Sequence, residues 1–125
     1  MTNQKPGMLF GEANDISRAL DESVLRTRLL NDDLRIRRLG GTIVITEGIA
    51  ALGSSTVRDI ISAITVFDGF TPENDPYGEH DCAVMTVSGI KIIWKIDYYD
   101  LTRRLHSSDR NVTSRVMTVM RADEY

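Results

Sequence analysis

Two alternating runs separated by Ser88-Gly89 constrain this chain more than any other feature. Cys82 to Val87 and Ile90 to Tyr98 read as strands, and the Ser-Gly pair between them signals a tight hairpin. Side chains alternate sides along a strand, so Ile90, Ile92, Trp94, Ile96 and Tyr98 share one face. Lys91, Ile93, Lys95, Asp97 and Tyr99 share the other. One face belongs in a core and the other stays partly open, as in antiparallel sheets. Trp94 and Tyr98 fall on the aliphatic face, which predicts burial, with the tyrosine hydroxyl reaching a partner at the rim. Base stacking on these rings is thereby disfavoured.

The remaining elements follow from their periods. Asn14 or Asp15 can cap a helix, and Ile16, Leu20, Val24, Thr27, Leu30 and Leu34 then recur at spacings of three or four. Asn31-Asp32-Asp33 is poor helix material and predicts a break, with a restart through Leu34 to Arg38 and closure at Gly40-Gly41. Ile43-Val44-Ile45 reads as a buried strand, Gly48 to Leu52 as one helical turn. Ser54 or Ser55 is expected to cap a second helix carrying Val57, Ile60, Ile61, Ile64 and Phe67. Tyr99 to Leu105 reads as a short helix or turn, and His106 to Asp109 as a loop. Val112 to Arg121 is the last strand, with Val116 and Met120 opposite Met117 and Val119. The order predicts an α+β domain: a four-stranded, mainly antiparallel sheet with two main helices packed on one face.

At 125 residues the chain suits one core and is too short for two. We expect a flexible leader over 1–12 and a single domain over 13–125. Fifteen basic against eighteen acidic residues give a formal charge of −3. That balance disfavours non-specific nucleic-acid binding, which draws its affinity from positive excess, and falls short of DNA mimicry. One cysteine permits no internal disulfide, and no apolar run approaches the ~20 residues of a membrane span. These features predict a cytoplasmic protein with no membrane partner.

The charges are unevenly placed. No Lys or Arg falls between Arg58 and Lys91, whereas Asp59, Asp68, Glu73, Asp75, Glu79 and Asp81 do. Arg26, Arg28, Arg35, Arg37 and Arg38 crowd an earlier stretch. These are either two solvated surfaces, meeting each other in the fold, or a site for an electrostatically complementary partner. Residues 69–81 hold two Pro, two Gly and several acidic or amide side chains, and no periodicity survives there. A loop of this length tends to be functional or self-packed.

Within and beside that loop, Asp75, Glu79, His80 and Asp81, with Asp97 and Asp100 after the hairpin, are acceptable ligand types for Mg²⁺, Mn²⁺ or Zn²⁺. Their spacing matches no metal signature, and the bland reading has Asn74 and Asp75 bonding loop N–H groups. His80 beside Cys82 suggests a thiolate–imidazole pair, but no third orienting group is in view, and a lone cysteine at a strand start is more often a small apolar residue. His106, Ser107, Ser108 and Asp109 carry the letters of a hydrolase triad, but adjacent residues cannot converge as a triad must. Gly40-Gly41 lacks the lysine and helix start of a phosphate loop.

Several stretches together carry a resemblance. They include Leu30-Asn31-Asp32, Leu34-Arg35, Gly40-Gly41, Gly48-Ile49, Ala51-Leu52, Phe67-Asp68 and Phe70-Thr71. The longest are Asn74-Asp75-Pro76-Tyr77-Gly78-Glu79-His80-Asp81 and Trp94-Lys95-Ile96-Asp97-Tyr98-Tyr99-Asp100. Arg115-Val116, Thr118-Val119-Met120, Ala122 and Glu124-Tyr125 close the series. Over residues 30–125 the chain resembles an uncharacterised family of short proteins borne by proteobacterial plasmids, phages and integrated elements. The resemblance implies no chemistry. It marks Asn74 to Asp81 and Lys95 to Asp100 as the defining patch, and it departs at Cys82, where the family usually has an aromatic residue.

Small proteins of mobile elements are often inhibitors of host defence, by analogy of genetic setting. The expected function is therefore non-enzymatic binding and inhibition of a CRISPR effector or restriction complex, with no catalytic residue, metal or cofactor. The partner-binding residues are Glu73, Asp75, Tyr77, Glu79, His80, Asp81, Asp97 and Asp100. Charge reversal at Asp75, Glu79 and Asp81 is expected to abolish binding and leave the fold intact. The alternative is a metal-dependent enzyme acting on phosphate or nucleotide groups through the same loop. Homodimerisation through an open sheet face is a third arrangement the pattern allows.

Overall fold

The hairpin forms where its sequence places it. In the computed structural model, which describes residues 11–99 and 114–125 and the side chains of the first helix from Glu22 onward, β2 (Cys82–Val87) and β3 (Ile90–Tyr99) pair antiparallel. The turn residues Ser88 and Gly89 both have positive φ, 53° and 78°, as a two-residue type I′ turn requires. A third strand, β4 (Ser114–Arg121), pairs antiparallel with β3. The edge strand β1 (Gly41–Ile45) pairs parallel with β4, and the sheet order is β1-β4-β3-β2. The sheet is mixed and mostly antiparallel, and the domain is α+β.

One face of the sheet carries the core. Ala83, Trp94, Val119 and Ile45 lie in one row across it, and Ile96, Met117 and Ile43 in the next. Ile92, Trp94 and Val119 are fully buried, and each side chain of that size contributes about 1.5–3 kcal/mol on leaving water. Leu34, Ile49, Ile60 and Ile64 cover this face from the helical side. The alternation of β3 is as the pattern requires, with Lys91, Ile93, Lys95, Asp97 and Tyr99 more exposed than the residues between them.

The helical layer is built from α1 (Gly11–Asp32), the short α2 (Glu47–Ala50) and α3 (Ser54–Val66). Asn14 and Asp15 fall inside α1, which starts earlier than the expected cap. The Asn31-Asp32-Asp33 segment does not break the helix. It widens it: Asp33–Arg37 forms a π-helical turn, and Arg38 closes it in the left-handed conformation, φ 59°, ahead of the expected glycines. Gly41 serves another purpose, because a Cβ there would run into the carbonyl oxygen of Arg115 on β4. Gly53 rather than a serine occupies the N-cap of α3, with no side-chain cap.

One burial expectation is overturned. Val44 and Ile45 of β1 are 40% and 38% exposed, because β1 pairs on one side only and lies at the sheet edge, where the helices cover it incompletely. The last strand forms where expected as far as it is described, and of its two faces the one carrying Met117 and Val119 lies in the core. The predicted turn over 99–105, the loop 106–109 and the start of the last strand lie outside the described residues apart from Tyr99, which ends β3.

Candidate functional site

The long loop between α3 and β2 is organised by its own side chains first. Asn74 Oδ1 accepts from the Thr71 N–H at 2.8 Å, Thr71 Oγ1 from the Asn74 N–H at 3.2 Å, and Asn74 Nδ2 donates to the Gly69 carbonyl at 2.9 Å. Both Asp75 carboxylate oxygens accept from the His80 N–H at 3.3 Å, drawing the chain into a compact bend. Within that bend Gly78 and His80 adopt positive φ, 70° and 55°. For histidine this conformation is uncommon and persists only where the surroundings hold it.

The surroundings here are one stripe of α1, continued into the π-helical turn that follows it. Arg28, Asn31, Asp32 and Arg35 recur at helical spacing and so share a face. Arg28 Nε donates to the Gly78 carbonyl at 2.6 Å, and Asn31 Nδ2 to the Glu79 carbonyl at 3.0 Å. Asp32 meets His80 Nδ1 at 3.0 Å. The His80 ring stacks flat on Phe70, centroids 3.8 Å apart and planes 7° from parallel, and Phe70 stands edge-on to Trp94. Arg35 is buried beside these rings. Its Nη1 donates to the carbonyls of Ile64, Thr65 and Phe67 at the C-terminal end of α3, and its Nη2 to Asp32 at 2.9 Å.

Behind the loop lies a polar centre sealed from water. Asn31, fully buried, also donates to the Tyr98 hydroxyl at 2.8 Å and accepts from Arg115 Nε at 3.0 Å. The Arg115 guanidinium lies over the Tyr98 ring at 5.3 Å. Between the α1 stripe and the loop opens a cleft of about 490 Å³, bordered by Val24, Arg28, Phe70, Pro72, Tyr77 and His80 among others.

The residues singled out in the sequence separate into distinct groups. Glu73 and Tyr77 are exposed, Tyr77 at 77%. Asp75 and Glu79 are buried, and His80 and Asp81 half-buried. Burial of Asp75 and Glu79 overturns the expectation that reversing their charge would spare the fold. Asp97 points to the opposite face of β3 from Tyr98 and pairs with Lys95 at 3.1 Å, so the structure does not bring it to the loop. That pairing, chiefly the hydrogen bond, holds the Lys95 amine above its ordinary range against partial burial. Asp100 lies outside the described residues. The arginine-rich stretch and the acidic loop thus meet within one chain, through Arg28, Asp32 and Arg35. Sequence reading named Asn31 and Arg115 only as letters of the resembling stretches and gave neither a place in the site; their signals were those stretches and, for Asn31, its helical spacing from Arg28 and Arg35.

Chemistry is constrained accordingly. The Cys82 thiol is pushed up from its ordinary value, first by burial and then by the carboxylates of Asp81 and Asp75, which opposes thiolate formation. The His80 imidazole is turned toward Asp32. Among the described residues no group of three or more His, Cys, Asp or Glu is placed to hold a metal ion. No helix among them is long and apolar enough to cross a membrane.

Fold and site together define an α+β domain that fixes one long polar loop against a helix. The chain belongs to the family described as protein of unknown function DUF3768, whose pattern matches residues 45–124. That span takes in the loop, β2, β3 and β4 but only the last residue of β1, and leaves out α1, so the clamping stripe lies outside the matched region. No curated protein and no solved structure gives a significant match.

Proposed function

We propose that the protein is a non-enzymatic binding protein that presents the tip of the 69–81 loop to a protein partner, and that the partner is a host defence complex of CRISPR or restriction type. The observation that carries the binding reading is Tyr77, a large aromatic residue 77% exposed at the tip of a loop held from behind. Arg28, Asn31 and Asp32 all engage the two residues that follow Gly78 or Gly78 itself. A loop already fixed loses little conformational freedom on docking, and tyrosine is enriched among residues that dominate interface energies. Glu73, exposed on the same loop, suits a basic partner surface of the kind that normally holds nucleic acid. Asp75, Glu79 and His80 shape the loop and do not touch the partner. The metal-dependent alternative has no cluster among the described residues to support it.

The test is capture from a bacterial lysate with active CRISPR and restriction systems, read by mass spectrometry. Stoichiometric recovery of a defence complex by the native chain, lost in the Glu73→Lys/Tyr77→Ala variant, is the expected result. Equal recovery by that variant would overturn the loop assignment, and an empty capture by the folded native chain would overturn the defence reading.

A further inference from the structure

The cleft between α1 and the loop contains a cation, Arg28, that forms no ion pair with any of the described residues. Arg35 is paired with Asp32 at 2.9 Å, and His80 sits between Asp32 and Asp75, at 3.0 and 3.7 Å. Arg28 makes one hydrogen bond among the described residues, to the neutral carbonyl of Gly78. That bond uses Nε and fixes the guanidinium plane, leaving the terminal nitrogens as a forked pair of donors. Gly78 makes the close approach possible, since a Cβ there would stand 2.9 Å from Arg28 Nη2. A partly buried charge ordinarily finds an opposite charge, and here none comes from the described residues.

From this arrangement we infer that the cleft binds a small carboxylic acid, its carboxylate on the Arg28 fork and an apolar or aromatic body against Tyr77, Phe70 and Pro72. The planar fork matches a carboxylate in two parallel hydrogen bonds. Its volume of about 490 Å³ lies within the range of small-molecule pockets. Asp75 also borders the cleft, so the second negative charge of a phosphate monoester is disfavoured there. This goes beyond the partner reading and does not depend on it.

The experiment is an NMR titration of the full ¹⁵N-labelled chain with three probes: 3-phenylpropionate, its neutral amide, and phenyl phosphate. The propionate is expected to shift the Arg28 Nε–H and the amides of Tyr77, Gly78 and His80, with Kd on the order of 1 mM for a ligand of about ten heavy atoms. The amide and the phosphate bind at least about tenfold more weakly, the loss expected when a charged, bidentate contact is missing or opposed. Arg28→Lys keeps the charge and removes the fork, and weakens the propionate by about tenfold. Tyr77→Ala, at an exposed position that leaves the fold unaffected, weakens it about threefold to tenfold through lost ring contact. Absence of shifts overturns the site. Equal binding of amide or phosphate overturns the carboxylate assignment. Should Arg28→Lys alter the sheet amides, the neutral probe and Tyr77→Ala decide the matter alone.

Discussion

Arg115 of β4 and Asn31 of α1, 84 positions apart in the chain, share a 3.0 Å hydrogen bond in a region closed to solvent. The amide of Asn31 reaches β4, β3 and the loop together, through Arg115, Tyr98 and the Glu79 carbonyl. Replacing it with leucine preserves size and removes a bond from each of three buried groups. Asn31→Leu is expected to destabilise the fold by about 2–4 kcal/mol, the scale for losing three buried hydrogen bonds. Urea unfolding measures this directly, and a loss under about 1 kcal/mol would show that the centre does not cement the layers.

Arg35 joins α1, the end of α3 and the aromatic stack in one guanidinium. Lysine cannot reproduce this, because a single ammonium cannot serve the α3 carbonyls and Asp32 in one plane. Arg35→Lys is expected to cost about 2–3 kcal/mol, and Arg35→Met about 3–5 kcal/mol, since methionine strands the acceptors and leaves Asp32 without its arginine. Equal stability of the lysine variant and the native chain, by the same unfolding assay, would refute the planar role.

These two residues also show where sequence legibility ended. The β2–β3 hairpin was readable to within one residue, because alternation and a Ser-Gly turn are local signals with a fixed period of two. The division of β4 into a Val116/Met120 face and a Met117/Val119 face was readable for the same reason, but which of the two meets the helices was not. The meeting of Arg35 with α3, and of Arg28 and Asn31 with the loop, was not, because hydrogen bonds between side chains and distant carbonyls leave no period. The loop's acidic residues looked like one surface in the sequence. In the fold, Asp75 turns back onto the His80 N–H and is buried, while Glu73 and Tyr77 remain outside. Val44 and Ile45 misled in the opposite sense: β-branched runs signal a strand, and edge or centre is decided by pairing partners elsewhere.

Gly78 is expected to be intolerant of a side chain for two additive reasons. Its φ of 70° is strained for any L residue, and a Cβ would press on Arg28 Nη2. Gly78→Ala should cost about 1–2 kcal/mol and release the Arg28 bond. The Arg28 Nε–H resonance, displaced toward that of a free guanidinium, reports the second effect separately. An unchanged resonance together with native stability would show that the loop adapts.

Cys82 is expected to react slowly for an exposed cysteine. Burial of its sulfur and the neighbouring Asp81 and Asp75 carboxylates raise the thiol's pKa, so a smaller thiolate fraction is present near pH 8. Alkylation by iodoacetamide should run severalfold slower than for a free thiol and accelerate in Asp81→Asn. A rate equal to or above that of free cysteine would reverse the assignment and reopen a nucleophilic role.

The Glu124 carboxylate closes the chain's end onto α2. It accepts from the Arg121 N–H at 2.7 Å, the Thr46 hydroxyl at 2.8 Å and the Gly48 N–H at 3.1 Å. These bonds, the Arg121 N–H foremost, hold its pKa below the ordinary glutamate range. A depressed folded value means the carboxylate's contribution is complete above the unfolded pKa and is lost as pH falls through the folded one. The Gly48 amide shift should therefore titrate with a midpoint below that of an unperturbed glutamate. Glu124→Gln should abolish that inflection and leave the β2–β3 amides where they are. A midpoint at or above the ordinary range would mean that the clamp on α2 is not held by the charged form.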